Sequence, residues 1–310
     1  MKRIGGLIFL VAMFLLPALG LAHELGEAET PHGYHDLLTT WAWEPGTIIP
    51  LVLSGWLYAQ GIWRLWSAAG VGHGIKVFSA GCFAAGWISL TLALISPLHP
   101  WGQVLFWPHM AQHEILMLIS APLLVLGQPM AVFLKALPPA WARSLAAMGN
   151  SRGWLGVWQW ITAPFVAWVI HGIALWVWHV PMLFEATLHS EFIHALQHLS
   201  FLFSALLFWW AVIHGQRRSL AYGMAVLYLF TTALHSGLLG AMLTFSTRPW
   251  YPTYAHTGPQ WGLTPVEDQQ LGGLIMWVPA GLVYVAVGLA LFAAWLNESD
   301  RRTASAKPVG

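Results

Sequence analysis

Trp107-Pro108-His109-Met110-Ala111-Gln112-His113-Glu114 runs directly into an almost wholly apolar stretch, Ile115 to Gly127. Together the two decide the fold class. The run from Trp107 to Gly127 has the ~20 residues that an apolar helix needs to cross a bilayer. His109 and His113 are four residues apart, which on a helix stacks two imidazoles on one face, ~6 Å apart at their Cβ atoms. Two such rings can share one metal ion, since imidazole suits copper, zinc and iron alike. Ionisable groups at the mouth of a membrane span are costly, and by default they mark a functional site.

The remainder of the chain is of the same kind. It is 57% apolar and 8% charged, with 21 Trp among 310 residues, whereas a soluble domain carries about 25% charged residues. This composition predicts an all-α, polytopic membrane protein. The single cysteine, Cys82, excludes disulfides within the chain and Cys-rich metal sites. There is no phosphate loop, dinucleotide fingerprint, nucleophile elbow, Cys-pair motif or HExxH. The reading is therefore not an enzyme, with the lipid bilayer as its surroundings and no nucleic acid as a partner.

Lys2 and Arg3, an apolar run from Ile4 to Leu21 and small residues up to Ala22 describe a signal peptide over 1–22, or an uncleaved first helix. Residues 23–45 lack Lys and Arg and contain Glu24, Glu27, Glu29, Asp36 and Glu44, an exported acidic arm. A bundle of seven transmembrane helices is expected over 46–296, with spans near 46–66, 76–96, 107–127, 158–179, 193–214, 220–246 and 269–295. A tail follows over 297–310. Between the third and fourth spans, Pro129 to Trp158 is too interrupted to cross, and Trp141 and Trp154 suggest a helix lying in the interface. Ten Lys and Arg fall in the connections on one side and only Arg248 on the other. This bias places the mature N-terminus outside and the C-terminus in the cytoplasm.

On that topology the histidines are one-sided. Only His73 and His214 fall near the inner face. His109 and His113 open the third span, His179 closes the fourth, and His194 and His198, again four apart, open the fifth. Asp268, beside Gln269 and Gln270, opens the seventh. His171 lies ~12 Å below His179 at 1.5 Å per residue, and His235 lies in the sixth span. A metal site in the outer leaflet is expected from His109, His113, His179, His194, His198 and Asp268, with His171 and His235 as deeper candidates. Glu114 could orient a neighbouring imidazole. Met110, Met117, Met182, Met242 and Met276 read mainly as packing, and His99, His189 and His256 as solvated loop residues.

Three stretches carry a resemblance: Trp107 to Gly127, Trp176 to Trp210 (WVWHVPMLFEATLHSEFIHALQHLSFLFSALLFWW) and Asp268 to Pro279 (DQQLGGLIMWVP). Together they resemble the CtaG-like cytochrome c oxidase assembly factors, a bacterial family of integral membrane proteins. The resemblance implies a multi-pass protein of the inner (plasma) membrane that helps make an active haem–copper oxidase. It implies copper as the ion, with oxidase subunits and an exported copper chaperone as partners. His109, His113, His179, His194, His198 and Asp268 match the family's recurring polar positions. Gln197 departs from the Glu that many relatives carry there. Two other readings remain: a haem-binding membrane redox protein with His171 and His235 as axial ligands, and a metal-free assembly scaffold.

Overall fold

The computed structural model describes residues 39–215, 222–257 and 261–306. The signal-like segment, the acidic arm as far as residue 38, Arg217, Arg218 and Lys307 lie outside the described residues, as do the expectations resting on them. Among the described residues the secondary structure is helical, without strands.

Helix α1, Pro45–Ala69, starts on a proline whose ring presets φ and which has no N–H to leave unpaired. It stops at Gly70, whose φ of 91° a side chain would resist. Helix α2 spans Val77–Ile95, and a one-turn connection leads into the short α3, Leu98–Val104. Helix α4, Phe106–Leu126, is one span with a π-helical segment at Ile115–Ser120. Three short helices follow: α5 Pro129–Ala136, α6 Pro139–Gly149 and α7 Arg152–Ile161. The chain continues through α8 Pro164–Trp178, α9 Pro181–His189, α10 Glu191–Gly215, α11 Tyr222–Thr244, α12 Thr253–Thr257 and α13 Pro265–Ala306.

Among the described residues, five helices are long and apolar enough to cross a membrane: α2, α4, α10, α11 and α13. A sixth crossing arises if α7 and α8 form one broken span, bent by 63° at Thr162–Ala163. The expected fourth span at 158–179 straddles that break. Pro164 cannot continue α7, because it offers no N–H to the preceding turn. The expected first span at 46–66 corresponds to α1, which has the length at 25 residues but is not among the helices apolar enough. The stretch expected to lie along the interface is three helices rather than one, each beginning at or beside a proline or a serine cap position.

Helices α4 and α10 occupy the centre: 67% of each apolar window is buried, against 17% for α13. The pairing of α11 with α13 is the most extensive in the molecule, and it depends on small residues. A Cβ on Gly273 would sit 2.6 Å from Thr244 Oγ1 and 2.8 Å from the Gly240 carbonyl oxygen. One on Gly272 would sit 2.3 Å from the Phe106 ring, so α13 also approaches the start of α4 at backbone range. The π segment shifts the register between the polar and apolar halves of α4. The Trp209 indole N–H donates to the Met117 carbonyl there at 2.8 Å, tying the segment to α10. Ser89 and Ser120 share a hydrogen bond of 2.8 Å between α2 and α4.

Candidate metal centre

The site is assembled at the N-terminal ends of α4 and α10, with α3 closing it. The first residues of α4 have no local side-chain cap, yet a helix start leaves four N–H groups unpaired. Asp268 supplies the remedy from α13. Its two carboxylate oxygens accept the N–H of Phe106 at 2.7 Å and of Trp107 at 3.0 Å, and Pro108 has no N–H to satisfy. A negative charge there also suits the helix dipole. Asp268, expected among the ligands, thus caps α4 and is in neither of the imidazole groups described next.

His109 and His113 on α4 face His194 and His198 on α10, and His99 on α3 completes the group. The rings form a continuous cluster. Centroid separations are 4.4 Å for His109–His113, 4.3 Å for His194–His198, 5.0 Å for His109–His194 and 5.3 Å for His113–His198. His99 stacks on His194 at 5.0 Å. All five are buried, at 0–8% exposure. His99, His194 and His198 each bring one ligand atom within 4.8 Å of the others, as do His109, His113 and His198.

The hydrogen-bond pattern separates the rings by role. His109 is held on both sides: Nδ1 lies 3.2 Å from the Gly102 carbonyl, to which it can only donate, and Nε2 lies 3.1 Å from the Gln197 amide. The Tyr254 hydroxyl also donates to Gly102 at 2.6 Å. Burial holds that phenol well above its ordinary range, so it remains a donor. In contrast, both ring nitrogens of His113, and Nε2 of His99, His194 and His198, have no hydrogen-bond partner in the protein. A buried polar atom without a partner costs about 1–3 kcal/mol. Five in one place signal groups arranged for something other than the fold. An ion coordinated by neutral imidazoles would satisfy several of them at once. An apolar cavity of about 60 Å³ borders His198, lined also by Pro50, Leu90, Leu116 and Leu202.

His99 was expected to be a solvated loop residue; instead it is 5% exposed. Its neighbours Pro97 and Pro100 look like loop punctuation, but Pro97 caps α3 and Pro100 lies within it, and α3 packs against the start of α4. The Gln112 amide nitrogen donates to the Ala93 carbonyl at 2.8 Å and faces His99 Nδ1 at 2.9 Å, fixing the ring. Because the same amide N–H group also serves the Ala93 carbonyl, Nδ1 is the acceptor and the ring proton sits on Nε2, so an ion bound at Nε2 would take the place of that proton. Nε2 faces Glu44 Oε1 at 3.6 Å, and the ring beside it holds the Glu44 carboxyl below its usual range.

The remaining expected ligands stand outside the cluster. His179 is buried, its Nδ1 donates to the Leu175 carbonyl at 2.7 Å and its Nε2 has no hydrogen-bond partner, yet it belongs to no ligand group among the described residues. Phe184 and Phe201, which pack on it at 6.3 and 6.1 Å, also pack on His109 at 4.9 Å and His113 at 4.6 Å. His171 pairs with Ser204 at 3.1 Å and packs on Phe208, and His235 receives the Trp176 indole N–H at 3.4 Å. Neither belongs to a ligand group among the described residues. Glu114 is buried, with Oε2 unpartnered and no hydrogen bond to an imidazole. Met110 packs against Gly272, and His189 is solvated, with a side chain 69% exposed.

Comparison with known proteins bears on the chain as a whole. The family model described as cytochrome c oxidase caa3 assembly factor (Caa3_CtaG) matches residues 56–298. The chain is 30% identical over 234 residues to Uncharacterized protein Mb0105 of Mycobacterium bovis, a match covering 71% of this chain and 34% of that protein. It is 25% identical over 300 residues to Uncharacterized protein ML1998 of Mycobacterium leprae, covering 94% of this chain and 44% of that one. The chain therefore spans between a third and a half of the length of these curated relatives. No solved structure matches. With the family match running from α1 almost to the end of α13, the chain belongs to the cytochrome c oxidase caa3 assembly factor family.

Proposed function

We propose that this protein carries copper in its imidazole cluster and yields it to a subunit of a haem–copper oxidase during assembly. Membership of an oxidase assembly family supports the destination. One observation carries the cargo: five buried imidazoles from three helices, with five ring nitrogens that have no hydrogen-bond partner in the protein, of which only His99 Nε2 faces a carboxylate, that of Glu44. His113, His194 and His198 hold the ion, His99 adds a fourth nitrogen from α3, and His109, engaged by Gly102 and Gln197, positions the set. Imidazole binds copper, and a site without thiolate holds it less firmly than a Cys pair would, so ligand exchange can release it.

In this reading α1 and the broken α7–α8 unit both cross the membrane, giving seven spans. The cluster then faces the outer leaflet, where an exported copper chaperone can load it, and the C-terminus is cytoplasmic. The lysines and arginines assigned to the inner side agree with one contact: Arg64 Nη1 donates to the Lys135 and Leu137 carbonyls at 3.2 Å.

The test is metal analysis of protein extracted in mild detergent, for the wild type and for His113→Ala and His198→Ala. About one copper per wild-type chain and near-zero copper in both variants is the expected result. A copper-free wild type that still supports oxidase assembly would replace this reading with a scaffold. Iron with a strong Soret band would replace it with a haem protein.

A further inference from the structure

A second group of ligand atoms stands at the mouth of the cluster. Glu44 immediately precedes α1, Glu191 opens α10, and His99 lies between them on α3. One ligand atom from each falls within 4.8 Å of the other two. His99 Nε2 faces Glu44 Oε1 at 3.6 Å and has no hydrogen-bond partner in the protein, though the residue is 5% exposed. Gln103 Nε2 donates to Glu191 Oε1 at 3.0 Å, which fixes that carboxylate while leaving its second oxygen to a ligand. The Glu44 side chain keeps 28% of its surface accessible, so this group meets the exterior where the five-ring cluster does not.

His99 belongs to both groups. One ring is shared by an imidazole–dicarboxylate triad at the mouth and by the His99, His194, His198 triad inside. The donor chemistry changes along the way, from two carboxylates and one imidazole to imidazole alone. A hydrated divalent transition ion exchanges its first waters readily for carboxylate oxygens, and nitrogen donors then bind it more tightly. We propose that Glu44, His99 and Glu191 form an entry site that captures a divalent copper ion from the exterior and passes it inward through His99. The proposal rests on the cluster being the metal-holding site. Glu44 lies before the family match, which begins at residue 56.

The transfer is ligand exchange without a change of oxidation state. The ion leaves the two carboxylates, keeps its bond to the His99 ring nitrogen while ligation passes to His194 and His198, and the carboxylates regain solvent. Two negative charges at a partly enclosed mouth also raise the local cation concentration, an effect that salt weakens.

Stopped-flow mixing of metal-free, detergent-solubilised protein with Cu²⁺ tests this, with final copper content measured on the same samples. Glu44→Gln/Glu191→Gln, isosteric and uncharged, should load at least about tenfold more slowly at low ionic strength while reaching the wild-type copper content. The wild-type rate should fall with added salt, and that of the variant should be nearly flat. Equal rates and equal salt dependence would overturn the entry site while leaving the cluster in place. If His113→Ala/His198→Ala takes up as much copper as the wild type, the cluster reading itself fails. That same variant keeps the proposal testable even if the double Gln protein does not fold. With the core broken, the mouth should still bind one Cu²⁺ weakly, with an electron paramagnetic resonance signature of few nitrogens, and Glu44→Gln should abolish it. Absence of this weak site in the core-broken protein would also overturn the proposal.

Discussion

At the residue scale His113 is the most informative side chain, because both its ring nitrogens are buried without a partner while His109, one turn away, has both engaged. Truncating His113 or His198 to Ala should each remove most copper and most oxidase assembly. Combining them should add little, since a site already broken cannot be broken again. Both variants should remain in the membrane at near-normal abundance. Each change costs some packing but also removes a buried unsatisfied group worth about 1–3 kcal/mol. His99→Ala should lower copper content or its loading rate at least severalfold, whereas the solvated His189→Ala should be silent; copper analysis of the pair checks the placement of α3. Copper per chain should be full at neutral pH and be lost on acidification, because protonated rings cannot ligate. Glu44 responds lower down. Its carboxyl is held below the ordinary value by His99, so its contact contributes above the free carboxylate range of about 4.3 and is lost only as pH falls through the depressed value.

Among the elements, α4 does most to define the site, and its start depends on a carboxylate 161 residues further along the chain. Asp268→Asn keeps the shape but weakens the charge-assisted cap, at a cost of about 1 kcal/mol. Its copper content should stay near the wild-type value, because Asp268 caps rather than ligates. A complete loss of copper in folded Asp268→Asn would return it to the ligand set. The close approach of α11 to α13 makes a second claim. Gly273→Val places methyl groups where Thr244 and the Gly240 carbonyl already sit, and overpacking of this kind costs about 1–3 kcal/mol or more. Its signature is reduced abundance and a lower melting temperature in detergent, while any folded fraction still binds copper.

For the whole molecule, the orientation is the consequential property, since it decides which compartment the mouth at Glu44 and Glu191 meets. A cytoplasm-dependent reporter fused after Lys307 should be active, and an export-dependent one inserted near the exposed His256 should be active too. Failure of either would reverse the sidedness and with it the route by which copper arrives. A scanning series of such fusions across α1 and across the α7–α8 bend would also count the crossings, with seven expected.

The helical membrane class, and the two HxxxH pairs that supply four of the five clustered rings, were legible in the chain itself. Hydrophobic run length follows from bilayer thickness, and a spacing of four follows from helix geometry; both are local properties. Family membership was legible for the same reason, in contiguous motifs around those histidines. The rest needed the tertiary structure. His99 looks like a loop residue between Pro97 and Pro100, and only the packing of α3 against the start of α4 buries it against His194. Asp268 has the chemistry of a ligand, and only the approach of α13 to α4 commits it to two backbone N–H groups instead. His171, His179 and His235 share the depth pattern that a sequence reveals, but depth on a helix says nothing of which way a ring faces. That direction is set by the rotation of each helix about its axis, which arises from packing between helices and is written in no single stretch of sequence.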